Sequence, residues 1–493
     1  MQLNSNSIFK EDEAMIQLFS IFEKNDIIWK LSIPQQSAVF DAKMRFLENG
    51  NVQIDFIIPL NIFEKFNMNS FFDSPVWLLE PMGTKLLFMW KNIVGFNISI
   101  DNNNPIRANV EYSSFQTDNN LKGIHWQEGK YAIYNLVNKD KAISIYTSGI
   151  KLEMTSNSDQ NSQAKNLLSF ELFGMQFCFY ELPVSGNKLL FVLKSQKILH
   201  HDEFLNVRDA VIAAYALITG SFLGSSGYLI SLLKDKDFIL EYTNNDDVMI
   251  SNCPLIDNGF YKDDFEEKLR LPANIFGNLV NLLYQKEPLR RACLLITQAG
   301  VAKGITRGSI AAVALETIAE QMGIKNENEP CLLIKDKNIA SQLKYELKKG
   351  LKKIKGKVDK AIYDKLMSKI GQINQLPNAL KLEDPFRILG IELNDEEKYC
   401  LDSRNFFLHG TFPKPKNKIY INLNQYDLVY IVGTRLMMLG GILLLKKAGY
   451  NGSVVDYGYT FVIKQNYLFS GRYNEIRKTG YAHRTIASFN DVK

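Results

Sequence analysis

The hydrophobic period of this 493-residue chain changes near residue 200, and that change constrains the fold more than any other feature. From Ile27 to about Ser195 the sequence is dominated by short β-rich stretches, such as Val52 to Ile58, Lys85 to Ile98, Tyr131 to Leu136 and Leu168 to Tyr180. Asn and Asp clusters, Asp101 to Asn104 and Ser156 to Gln163 among them, read as loops between strands of a sandwich or curved sheet. From His201 onward Phe204, Val207, Val211 and Tyr215 recur at three- and four-residue steps, as on one face of a helix. After Leu271 nearly everything carries that period, over 273–285, 287–300, 308–322, 338–355, 358–372, 394–409 and 425–448. The expected fold class is α+β with the two classes segregated. The expected layout is a β-rich region over 1–200, a helical connector over 201–270, an all-α domain over 271–470 and a basic, aromatic tail over 471–493.

Charge divides the chain at nearly the same place. Up to residue 270 there are 24 basic and 33 acidic residues, a balance of −9; beyond it there are 34 basic and 20 acidic residues, a balance of +14. Such asymmetry points to an anionic partner for the C-terminal half. The ten lysines from Lys344 to Lys369 are opposed there only by Glu346, Asp359 and Asp364. They lie beside an apolar stripe of Leu343, Leu347, Leu351, Ile354, Val358, Ile362, Leu366 and Ile370. This arrangement can be a solvated face or a track for a phosphate backbone, and Lys348, Lys349, Lys352, Lys353, Lys355 and Lys357 are the candidate RNA-binding residues.

Other signals exclude more than they assign. Five cysteines without a C-x-x-C pair fit neither a disulfide framework nor a cysteine zinc site, so a cytoplasmic location is expected. The first dozen residues show no basic segment leading into an apolar one, so no signal peptide is expected. The uncharged run Ala210 to Leu233 reads as a buried helix and glycine-rich turn, and Leu436 to Leu445 as a core helix, so no membrane is expected as a partner. Ser221 to Gly224 lacks the G-K-[ST] of a phosphate loop. His200 and His201 beside Asp202 and Glu203 read as a helix start with Asp202 as N-cap rather than a metal site. No cofactor or metal is expected.

The segment Asp395 to His409 carries the densest chemical signal. Acidic residues open it, apolar residues fill it, Gly410 follows the end and Pro413 comes shortly after, which is the grammar of a terminating helix. Inside it Arg404-Asn405-Phe406-Phe407-Leu408-His409 is an R-N-x-x-x-H string. Asn405 and His409, four apart, share a face, and Arg404 lies about 100° round from Asn405.

On that string, inside a basic all-α region, the chain resembles the HEPN superfamily, whose ribonuclease members carry an R-x(4–6)-H motif. A β-rich region ahead of such a domain looks like the ApeA-type anti-phage proteins of bacteria. The resemblance implies a metal-independent endoribonuclease, a toxin of abortive infection, that cleaves RNA, tRNA included, in answer to an unknown phage trigger. The β-rich half would sense that trigger and restrain the toxin domain. The resemblance also implies a homodimer through the helical domain, with a composite site assembled from both protomers in a cleft lined by Phe406 or Phe407. His409 would move protons, Arg404 would stabilise charge on the phosphate, and Asn405 would orient it. Glu316 is a further candidate member of the site. The other expectation is a non-catalytic RNA- or protein-binding module in which Arg404 pairs with an acidic neighbour and His409 caps the helix.

Overall fold

A computed structural model describes residues 27–33, 38–47, 51–59, 62, 76–79, 85–89, 93–99, 106–117, 131–138, 165–183, 188–195, 199–223, 227–232, 238–243, 249–251, 253–256, 271–322, 333–334, 336–374, 378–415, 423–469 and 483–486. The fold class is α+β, segregated, with a strand-rich N-terminal region followed by helices. Two compact units divide at Thr297 and Gln298.

Among the described residues twelve strands precede the first long helix. They are β1 (Trp29–Ile33), β2 (Ala38–Phe46), β3 (Val52–Ile58), β4 (Val76–Leu79), β5 (Lys85–Phe88), β6 (Ile93–Ser99), β7 (Ile106–Tyr112), β8 (Ser114–Thr117), β9 (Tyr131–Asn138), β10 (Lys165–Leu172), β11 (Met175–Pro183) and β12 (Lys188–Ser195). Among its described residues, the segment expected as a helical connector holds one helix, α1 (His201–Thr219). It then returns to strand in β13 (Ser221–Phe222), β14 (Gly227–Leu232), β15 (Phe238–Thr243) and β16 (Met249–Ile250). β14 and β15 pair from Gly227 opposite Thr243 to Leu232 opposite Phe238 and enter the middle of a 14-stranded sheet. Its order is β10-β11-β12-β9-β14-β15-β8-β5-β4-β1-β2-β3-β7-β6. Sequence periodicity missed this return because the uncharged run from Ala210 to Leu233 has one composition across helix and strand.

Alternation explains the strands. In β3 the residues Val52, Ile54, Phe56 and Ile58 are buried and the residues between them are not, as a pleated chain with one covered face requires. β7 repeats the pattern opposite it, pairing Val52 with Tyr112 through Ile58 with Ile106. The stretch Lys85 to Ile98 is two strands, β5 and β6, that pair with different neighbours. Leu168 to Tyr180 is a hairpin whose two-residue turn, Phe173-Gly174, has φ of 53° and 70°. Positive φ at both turn positions matches the twist of the flanking strands, and Phe in place of Asn hid the turn from sequence. At this end of the sheet α1 and α2 (Ala273–Gln285) supply Tyr215 and Phe276, whose rings lie 5.9 and 6.2 Å from that of Phe179. The N-cap of α1 is His200, with Asp202 in the first turn, so the expected cap lay two residues too far along.

The remaining helices are α3 (Glu287–Val301), across which the division between the units falls, α4 (Gly304–Met322), α5 (Lys337–Lys352), α6 (Lys360–Gln372), α7 (Asn378–Ile388), α8 (Asp395–Leu408), α9 (Gln425–Lys447) and α10 (Tyr457–Phe469). Helix α9 is the axis of the second unit and packs against α4, α8 and α10. It is long and apolar enough to cross a membrane, and inside the helical unit it is buried at Leu428, Val429 and from Ile431 to Leu445. Arg435 in its middle is buried with both guanidinium edges satisfied by Asp456 and Glu396. Part of the expected tail is structured: β18 (His483–Thr485) pairs with β17 (Ser453–Val455), and Arg484 reaches Glu397 of α8. Arg472, Arg477 and Lys478 lie outside the described residues.

Candidate active site

Helix α8 is fixed at both ends by its own sequence. At the start Asn394 Oδ1 accepts from the Glu397 N–H at 2.8 Å and the Glu397 carboxylate accepts from the Asn394 N–H at 3.0 Å. That reciprocal box satisfies two of the amides that a helix start leaves open. Glu397 is buried and also accepts from Arg484 Nε at 2.8 Å, while Glu396 pairs with Arg435. At the other end Gly410 takes φ 66°, its N–H donates to Phe407 O at 3.0 Å, and the Thr411 N–H donates to Phe406 O at 2.7 Å. This is a Schellman ending, which needs the left-handed conformation that glycine adopts without a Cβ penalty.

Between those ends the motif faces two ways. Arg404 points inward and is 2% exposed. Its Nε donates to Glu316 Oε1 of α4 at 2.9 Å and its Nη1 donates to Leu401 O at 3.2 Å. Nη2 makes no hydrogen bond among the described residues. Glu316, whose side chain is 41% exposed, is therefore the acidic partner that holds the guanidinium. Asn405 and His409 point outward, both exposed, and His409 is the C-cap residue. By helical geometry Arg404 and His409 stand about 140° apart around the axis.

Packing beneath the motif depends on a glycine. A Cβ on Gly308 of α4 would lie 2.4 Å from the Phe407 ring, so the close seating of α8 on α4 exists only because that position has no side chain. Phe407 is buried there and cannot line a cleft, whereas Phe406 is half-buried. The Ser309 hydroxyl donates to Phe407 O at 3.0 Å and ties the two helices where the motif ends.

The chain after the motif is also held. Tyr399 Oη donates to Lys414 O at 2.8 Å, Thr411 Oγ1 donates to Phe406 O at 3.0 Å, and Pro413 is buried. Phe412 thereby meets Tyr426 in the first turn of α9, with ring centroids 6.3 Å apart and planes at 85°. Sequence analysis did not single out Tyr426, because a lone aromatic next to a helix start carries no spacing signal. It also missed Arg435, although an arginine inside an otherwise uncharged run was visible.

The six candidate RNA-binding lysines are all exposed and belong to α5 and the turn after it, away from the α8 motif in sequence. α5 and α6 form a hairpin whose seam, lined by Leu347, Leu351, Ile354, Leu366, Ile370 and Ile373, is partly open to solvent. Asn374 closes its base by donating to Ile334 O at 3.0 Å and accepting from the Ile334 N–H at 2.7 Å. No group of His, Cys, Asp and Glu among the described residues is arranged to hold a metal ion. Comparison of the chain with protein-family models, with curated proteins and with solved structures found no match.

Proposed function

We propose that the protein is a metal-independent endoribonuclease of the HEPN type that acts in bacterial anti-phage defence. The observation that carries this reading is the split motif: a buried Arg404 held by Glu316, and Asn405 and His409 on the exposed face of the same helix end. In the reaction the 2′-hydroxyl oxygen attacks the adjacent phosphorus and loses its proton to an imidazole. The bond to the 5′-oxygen breaks, and that oxygen takes up a proton. Arg404 stabilises the charge that builds on the phosphate oxygens, and Asn405 orients them. The products are a 2′,3′-cyclic phosphate and a 5′-hydroxyl end.

The wide angle between Arg404 and His409 supports a composite site in which two copies of the helical unit bring their motifs to one cleft. In this reading the protein is a cytoplasmic homodimer, the β-rich half senses the phage trigger, and the exposed lysines of the α5–α6 hairpin engage the RNA backbone. A second reading draws on the burial of Arg404 and its bond to Glu316: the pair is a brace, and the helical unit is a non-catalytic RNA- or protein-binding module. His409→Ala separates the two. An exposed imidazole that makes no side-chain hydrogen bond among the described residues contributes little to stability, so the variant should unfold at the wild-type temperature. Under the ribonuclease reading it loses RNA cleavage and toxicity on expression. RNA cleavage by His409→Ala at the wild-type rate leaves the binding-module reading standing.

A further inference from the structure

Tyr426 is the most exposed of the large hydrophobic and aromatic side chains among the described residues, at 74%. An isolated exposed tyrosine needs no explanation; this one sits beside the proposed site. It packs edge-to-face on Phe412, and Phe412 follows His409 by three residues, which places it within about 11 Å along the chain. Both rings stand on fixed supports. Phe412 lies in the loop pinned by the bonds from Thr411 to Phe406 and from Tyr399 to Lys414. Tyr426 is in the first turn of α9, where Asn424 accepts from the Asp427 N–H at 2.9 Å. The exposed Lys414 adds a cation to the same loop.

We propose that Tyr426, braced edge-to-face by Phe412, is a stacking platform for an unpaired nucleobase, with Lys414 at the neighbouring phosphate, so that the site takes a single-stranded segment, a loop or an unstructured strand, rather than duplex. The proposal rests on the ribonuclease reading of the same site and adds its selectivity. A ring three-quarters exposed while touching Phe412 presents a π-face to solvent, and every base has a π-face to lay on it. A base inside an A-form duplex has both faces covered by its neighbours, so the platform discriminates by strandedness and tolerates sequence. A lysine contact to phosphate positions the strand without reading it.

The test uses the full-length protein carrying His409→Ala for binding and the otherwise wild-type chain for cleavage. The probes are a fluorescein-labelled 20-nucleotide oligouridylate and a blunt RNA duplex of the same length. Tyr426→Ala and Tyr426→Leu should each weaken oligouridylate binding about 5- to 100-fold, since loss of one base stack has that effect. Tyr426→Trp should bind within about twofold of the parent, duplex binding should not change, and the cleavage defect should fall mainly on KM. Thermal unfolding of the variants should match the parent because the side chain is exposed. Equal binding by Tyr426→Ala, a loss shared equally by the duplex, or a change confined to self-association would overturn the platform. If the wild-type chain cleaves no RNA yet binds oligouridylate through Tyr426, the ribonuclease reading fails and the platform stands. If it cleaves RNA and Tyr426→Ala cleaves equally, the reverse holds.

Discussion

Phe407 and Asn405 stand two residues apart on α8 and meet opposite surroundings, one pressed against Gly308 and one in solvent. Gly308→Ala should therefore destabilise the fold by about 1–3 kcal/mol in denaturant unfolding, because a methyl at 2.4 Å from a buried ring forces α8 off α4. Asn405→Ala should stay within about 0.5 kcal/mol of the parent and lose activity instead. The Arg404 pair lies between these extremes. Glu316→Ala leaves a guanidinium 2% exposed without its partner, and a loss of about 2 kcal/mol is expected. That is less than a fully buried pair would lose, since Glu316 is itself 41% exposed. Cys400 gives a check on the packing around the α8 network. Burial pushes its thiol up to about 12, against a smaller lowering by Arg435, so almost no thiolate exists at pH 8. Iodoacetamide should label Cys400 only as fast as the protein opens; prompt labelling in the native state would contradict the buried setting.

At the scale of the element, legibility follows how local the determining chemistry is. The ends of α8 were readable because both devices, the acidic first turn after Asn394 and the glycine after His409, lie within a few residues of the positions they act on. Helix α7 was not read, since Pro385 sits inside it and Leu382 and Phe386 give only one buried step of the helical period. Arg484 was placed in a tail because its partners, Glu397 and the carbonyl of Glu392, lie some ninety residues earlier, beyond the reach of any spacing rule. The α5–α6 hairpin shows what lysine richness does to an element. α5 buries only Ala340 and Leu351 and α6 buries no residue, so its stability rests on local terms such as the Asp336 cap, which accepts from the Asn338 N–H at 2.8 Å. Amide exchange should therefore be faster in α5 and α6 than in α9 by several orders of magnitude. Asp336→Ala should speed it further in α5 at a local cost of about 1 kcal/mol. Equal protection in the hairpin and in α9 would mean that another surface covers the seam.

For the whole molecule, the segregation of strands from helices and the charge split were both legible, because they are sums over hundreds of residues. Whether the motif is completed by a second copy is not a sum of that kind; it depends on the angle at which two residues leave one helix. Arg404 faces inward and His409 outward, about 140° apart, so a phosphate reached by the imidazole of one protomer is most easily met by the guanidinium of another. On the proposed ribonuclease reading, activity is a property of pairs. Arg404→Ala chains exchanged with an equal amount of His409→Ala chains should place about half of all chains in mixed dimers, the statistical share of a closed twofold dimer. If a site joins the imidazole of one protomer to the guanidinium of the other, each mixed dimer holds one intact site of two, and RNA cleavage rises to about one quarter of the rate given by the same total amount of wild-type chain. Sites complete within one chain would instead leave the mixture inactive, since every chain lacks one of the two groups. Light scattering on the same mixture supplies the control, since exchange must preserve the dimer mass for the ratio to report on the site. A mixture of the two variants that stays inactive at constant dimer mass would assign Arg404 and His409 to separate, self-sufficient protomers.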